Sequence, residues 1–164
     1  MKRQRKTLVD RLEQSGKEYA TYLLQHSVDE LLSKPSPTEW SIHQVAAHMR
    51  DTDQFAFLVR VEKLLKEKDP TFANFDQDTY WASHPYSPTE PIKKIVAGLL
   101  AARRKMVRLL RAAPDAAWKR TGIHSAYGKV SLDWVAMHCY HHTLEHTAQS
   151  GYVLEQELLK SLNR

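Results

Sequence analysis

Ser131-Leu-Asp-Trp-Val-Ala-Met-His-Cys-Tyr-His-His-Thr-Leu-Glu-His-Thr-Ala-Gln-Ser150 is the stretch that decides the fold. Leu132, Val135, Cys139 and Thr143 recur at three- and four-residue steps, the period at which side chains return to one face of an α-helix. Ser131 predicts an N-cap, and Gly151 predicts the C-terminal stop. Four of the nine histidines fall within this run, as His138, His141, His142 and His146. At roughly 100° per residue, His146 lies inside the inward arc and His142 at its margin. His141 points the opposite way, toward solvent, and His138 sits farther round than His142.

Working outward, the same period recurs three more times. Leu8, Leu12, Tyr19, Tyr22 and Leu23 predict a first helix over residues 5–25. Ser27 with Glu30 reads as a capping box opening one short turn through Leu32, before Pro35 and Pro37 stop any helix. Ser41 with Gln44 is a second capping box. Behind it Ile42, Val45, Met49, Ala56 and Val59 trace a second helix running toward Leu65. Trp40, just before this cap, reads as a hydrophobic staple. Residues 69–85 carry Phe72, Phe75, Tyr80 and Trp81 without a steady period, and read as a long loop of the kind that is often functional. Its aromatics either wall a pocket or pack onto the bundle, the plainer reading being packing. Ser87, Pro88 and Glu90 then predict the start of a third helix, whose stripe of Ile92, Ile95, Val96, Leu99, Met106 and Leu110 ends at about Ala113, before Pro114. Gly122 and Gly128 put a loop or small hairpin over 121–130, and residues 152–164 predict one more short helix. The fold class is all-α: a four-helix bundle, with a long connection between helices two and three that permits something other than up-and-down topology.

Composition agrees. The chain has 164 residues, 42% of them hydrophobic and 26% charged, enough apolar surface for one globular domain spanning 1–164. A single cysteine closes no intrachain disulfide and builds no cysteine cage, which fits a reducing compartment. No apolar run approaches the ~20 residues of a membrane span, and the basic start has no apolar signal-peptide core, so the expected location is the cytoplasm. A net charge of +5 is ordinary for solubility and decides nothing about partners.

His142 and His146 are four apart and share a helix face, the arrangement by which one helix offers two imidazoles to one metal ion. His48, three residues beyond Val45 on the second helix, is the candidate third ligand, since facing helices build bundle-core metal sites. Three neutral imidazoles suit Zn, Ni, Fe or Co and leave coordination positions open, as reactive sites do. Against this stands chance, because paired histidines at helical spacing also occur without a metal.

Two motifs carry a resemblance. Trp40-Ser-Ile-His43-Gln-Val-Ala-Ala-His48-Met-Arg-Asp51 and His142-Thr-Leu-Glu-His146-Thr-Ala-Gln149 are similar, in order and separation, to those of the DinB/YfiT-like family of metal-binding four-helix bundles. The resemblance covers nearly the whole chain. It implies that His48, His142 and His146 are the metal ligands and that the chain forms a homodimer. Characterised relatives include metal-dependent transferases that join low-molecular-weight thiols such as bacillithiol, mycothiol or glutathione to electrophiles, alongside a proposed metal-dependent hydrolase. A rival ligand set of His138 and His142 ranks second, because it leaves the more inward His146 unexplained.

The expectation is therefore a divalent-metal protein acting on a small-molecule substrate, as a transferase that activates a low-molecular-weight thiol, with no catalytic residue assigned beyond the ligands. A hydrolase is the alternative. His142 to His146 spells H-x-x-E-H, but Glu145 projects away from the inward arc and only eighteen residues follow His146, too few for the second lobe of an inverted zinc protease. Nucleic-acid binding, suggested by Arg104, Arg108 and Arg111 and by Lys2, Arg3, Arg5 and Lys6, is explained more simply by solvated faces. Cys139 reads as a small core residue.

Overall fold

A computed structural model describes residues 2–162, and both capping boxes open helices in it. The first helix, α1, spans Arg3–Leu24 and buries Val9, Leu12, Tyr19, Ala20 and Leu23. Ser27 and Glu30 close both halves of their capping box on the short α2, Val28–Leu32. Ser41 and Gln44 do the same for α3, Ile42–Thr52. A π-helical turn, Asp53–Phe57, joins α3 to α4, Leu58–Lys66, in one continuous rod. The turn accommodates one residue more than an α-turn and rotates everything after it. Val59, expected on the core stripe, is consequently 38% exposed, and Leu58, Val61 and Leu64 take the inward positions.

The expected long loop is partly ordered. It holds strand β1, Thr71–Phe72, and helix α5, Gln77–Ser83, which starts where the Asp76 carboxylate accepts from the Thr79 N–H. The third long helix, α6, is Ile92–Ala112 and begins later than Ser87 predicted. Pro91 is the reason: it disfavours helical backbone at Glu90, so Ser87 to Glu90 form an isolated turn instead.

Strands β2, Thr121–His124, and β3, Gly128–Ser131, make the hairpin, and β1 joins β2 in parallel. Gly122 is required there, because a Cβ would meet the Phe72 ring and the Pro70 carbonyl at 2.6 Å. Ser131 then accepts the Trp134 N–H and opens α7, Leu132–Leu162. Gly151 does not stop this helix. A mid-helix glycine costs only about 1 kcal/mol relative to alanine, and burying Val153 just beyond it outweighs that. The short terminal helix expected after Gly151 is thus the end of α7; its last residues, Asn163 and Arg164, lie outside the described residues.

In cross-section α1 packs between α6 and α7, and the α3–α4 rod packs across from it against the same two helices. Consecutive long helices one and two are therefore diagonal, which excludes simple up-and-down topology. The core has two apolar halves, one around Leu12, Phe57, Met106 and Trp118, the other around Tyr19, Ile42, Met49 and Leu99. Between them lies an ionic layer. Arg103 of α6 donates Nε–H to Asp53 Oδ2 at 2.7 Å and Nη2–H to Asp53 Oδ1 at 2.9 Å. Its remaining donors reach Thr143 Oγ1 of α7 at 3.0 Å and the Leu12 carbonyl of α1 at 2.9 Å. The two side chains are 2% and 0% exposed.

Breaking this pair strands a buried charge. Arg103→Met and Asp53→Leu are each expected to cost about 3–5 kcal/mol in urea unfolding, whereas the double variant recovers most of that loss. Single variants within 1 kcal/mol of wild type would show that the ionic layer does not hold the helices in register.

Candidate metal centre

Three of the sequence-selected histidines meet, and His48, His142 and His146 form the one group of three or more His, Cys, Asp or Glu side chains among the described residues with metal-compatible spacing. His48 Nε2 is 3.2 Å from His142 Nε2, which is 3.1 Å from His146 Nε2. Nitrogens bound at about 2.1 Å to one tetrahedral ion stand about 3.4 Å apart, close to both of these distances, and all three ligand atoms lie within 4.8 Å of one another. His138 lies outside it, packed on Trp134, Phe57 and Tyr127, so the rival pair is not the one brought together. His141 and Glu145 are exposed. Cys139 is fully buried and donates to Asp53 Oδ1, as a core residue does.

Neighbouring amides decide where the protons sit. Gln77 of α5 donates Nε2–H to Asp51 Oδ2 at 3.1 Å, which turns its Oε1 toward His48. That oxygen lies 2.7 Å from His48 Nδ1 and accepts its proton, leaving the Nε2 lone pair to face the centre. Gln149 Oε1 stands in the same relation to His146 Nδ1, also at 2.7 Å. Two lone pairs thus converge on His142 Nε2, and one proton there serves at most one of the two contacts well. A cation serves all three rings. His142 Nδ1 is buried without a hydrogen-bond partner.

The rings are held neutral. Burial, then the adjacent His146, brings the His48 pKa down to about 4. Burial, then His146 and His48, brings His142 down to about 2. Burial lowers His146 as well, against the opposing pull of Gln149. Neutral imidazole is the ligating form.

Asp51, 1% exposed, anchors the outer side: it accepts from Gln77, from Trp81 Nε1 at 3.1 Å and from Arg50 Nε at 2.9 Å, and Arg50 in turn pairs with Glu90 at 2.7 Å. Trp40 packs at a tilt against His48, with ring centres 5.3 Å apart, and Trp81 packs at a tilt against Trp40 at 5.2 Å. Trp40 and Trp81 therefore both pack and wall the site, while Tyr80 packs among Phe55, Phe75 and His84. Asp51 closes the first of the two motifs but has no role legible from it, and Gln77 has no motif at all; the Asp76 cap is the one local signal that residue 77 opens a helix. On the inner side, a cleft of about 120 Å³ is lined by His48, Thr52, Arg60, Tyr127, His138 and His142, among others. Of the basic residues considered for nucleic acid, Arg5 pairs with Asp133, Lys6 with Asp10, and Arg111 with Asp10 and Glu13. No helix among the described residues is long and apolar enough to cross a membrane.

A sequence profile of the DinB superfamily matches residues 11–150. Among solved structures the chain is similar to YfiT from Bacillus subtilis, described as a probable metal-dependent hydrolase with an unusual four-helix bundle topology. Identity is 21% and the TM-score 0.73, over 92% of this chain and 90% of that one. It is also similar to a DinB-like protein of Bacillus subtilis, YjoA, at 14% identity and a TM-score of 0.61, over 92% of each chain. At these identities the likeness is one of fold. No curated protein sequence matches the chain.

Two outcomes follow from this geometry. Folded-state pKa values below the ordinary histidine value of about 6.5 mean that the unfolded chain binds more protons, so the rings' contribution is complete above that pH. Metal-stripped protein is expected to lose urea stability as pH falls from about 6.5 toward 4, and His48→Gln/His142→Gln to lose less; equal slopes would contradict the buried, neutral rings. Gln77→Leu is expected to weaken metal affinity about 10- to 100-fold in a chelator competition with the fold retained, and unchanged affinity would show that the Gln77 contact does not tune His48.

Proposed function

The chain belongs to the DinB superfamily, and from that membership and the site's geometry we propose that it holds one divalent transition-metal ion on the Nε2 atoms of His48, His142 and His146 and acts as a transferase on a low-molecular-weight thiol. The observation that carries the metal is the convergence of three neutral imidazoles, with His142 Nε2 at 3.2 and 3.1 Å from the Nε2 atoms of His48 and His146 and all three ligand atoms within 4.8 Å of one another; two of the rings have Nδ1–H committed to glutamine oxygens. An ion bound there supplies Lewis acidity, lowering the pKa of a coordinated thiol or water toward neutral pH. Zn, Ni and Fe all suit three imidazoles.

The choice of a thiol rests on the cleft. No carboxylate lines it. Asp51 is committed to Gln77, Trp81 and Arg50 behind the ligands, and Glu145 is exposed. Among the described residues no carboxylate base therefore lines this cleft, and the chain's own thiol, Cys139, is buried against Asp53. A small thiol brings its own nucleophile. Trp40 covers one side of His48, and His48 and His142 face a cleft that Thr52, Phe57 and Tyr127 also line, open to a small molecule. Hydrolysis is the second reading, favoured by the fold shared with YfiT. A homodimer is part of the proposal; Met137 and Leu144, two turns apart on α7, are exposed apolar side chains available to an interface.

Metal content by mass spectrometry on untagged protein tests the site. Folded wild type is expected to hold about one ion per chain, and His48→Ala, His142→Ala and His146→Ala to lose it. The loaded protein is then expected to consume glutathione or cysteine in the presence of an activated aryl halide, with no turnover in the three variants. Folded wild type that takes up no ion on reconstitution would overturn the metal centre; ester cleavage independent of added thiol would favour the hydrolase.

A further inference from the structure

Arg60 is the exception among the buried cations. It is 6% exposed, yet no carboxylate pairs with it among the described residues, in contrast to Arg103, the other buried cation among them, and to the partly buried Arg5 and Arg50. One hydrogen bond is made by its guanidinium, from Nη2 to the Ala73 carbonyl at 3.3 Å, and its Cζ lies 5.7 Å from the centre of the Phe57 ring. A guanidinium has five N–H donors, and those of Arg60 beyond the Ala73 contact have no protein partner among the described residues and are left to the cleft that the residue lines. Burial holds its pKa below the ordinary arginine value.

The unmatched donors border the cleft beside the ligands. Phe57 touches both features, with the Arg60 guanidinium 5.7 Å and the His142 ring 5.3 Å from its ring centre, and all three residues line the cleft. His138, which lines the same cleft, has a buried Nδ1 without a partner. A second, outer cleft of about 220 Å³ shares Ala56, Arg60, Asn74 and Phe75 with the inner one, so Arg60 stands where the two meet.

We infer that Arg60 anchors an oxyanion subsite next to the three-histidine centre, taking the carboxylate or phosphate of a small molecule on its guanidinium fork. The fork matches either group bidentately, and desolvation strengthens the pairing. The inference rests on the proposed function only in treating that oxyanion as part of the substrate.

The test is titration of full-length, metal-loaded protein with inorganic phosphate and, separately, succinate, following the Arg60 Nε–H signal by NMR and affinity by calorimetry, with metal content measured on the same samples. A saturable shift with at least one anion is expected, and the better ligand identifies phosphate or carboxylate as the source. Affinity should fall at least tenfold in Arg60→Met and by less in Arg60→Lys, with metal content unchanged in both. Arg60→Lys keeps the charge and loses the fork, so it carries the test if Arg60→Met does not fold. No saturable shift, or equal affinity in the variants, would overturn the subsite. Anion binding through Arg60 in protein that holds no metal would preserve the subsite and remove the metal centre, and metal retention without anion binding would do the reverse.

Discussion

The Arg103–Asp53 pair is the constraint on which the rest of the bundle depends. A guanidinium and a carboxylate both removed from water are tolerable only in near-ideal geometry, and here that geometry draws on all four long helices: Arg103 from α6, Asp53 from the π-turn, Thr143 from α7 and the Leu12 carbonyl from α1. Gly16 of α1 leaves room for it, since a Cβ there would stand 3.3 Å from Arg103 Cγ. Apolar surfaces slide past one another at little cost, whereas a hydrogen-bonded ion pair fixes one register. His48 lies about one turn before Asp53 and His142 beside Thr143, so the register that satisfies the pair is also the one that brings the imidazoles together.

The π-turn has a second consequence. In an uninterrupted α-helix, three successive four-residue steps from His48 would drift by roughly 120°, carrying residue 60 off the line of residue 48. The additional residue takes back roughly 100° of that. His48, Thr52, Ala56 and Arg60 therefore line one cleft, with a ligating imidazole at one end and a buried, unpaired guanidinium at the other. A local departure from helical regularity thus combines ligand chemistry and charge recognition on a single rod.

Features encoded by near neighbours were legible in the sequence. Both capping boxes close as their spacing implies, the hairpin forms around Gly128 at a φ of +68°, and the two inward histidines of α7 meet the one selected on α3. What the sequence did not disclose depends on distant partners. Arg103 and Asp53 are each unremarkable among charged neighbours until the chain brings them together. Gln77 sits in a segment without periodicity, and its importance comes from His48, twenty-nine residues earlier. The π-turn has no local signature, and Gly151 has the usual mark of a helix end but yields to the burial of Val153. Periodicity gave the bundle and its histidines; the polar contacts that orient the rings needed tertiary structure.

The central claim is that three Nε2 atoms, aimed by Gln77 and Gln149, hold a single ion. An anomalous-scattering crystal structure of metal-loaded protein tests it most directly. One peak is expected about 2.1 Å from Nε2 of His48, His142 and His146, with His138 uninvolved. A peak bound through His138, or one lying away from these three nitrogens, would contradict it.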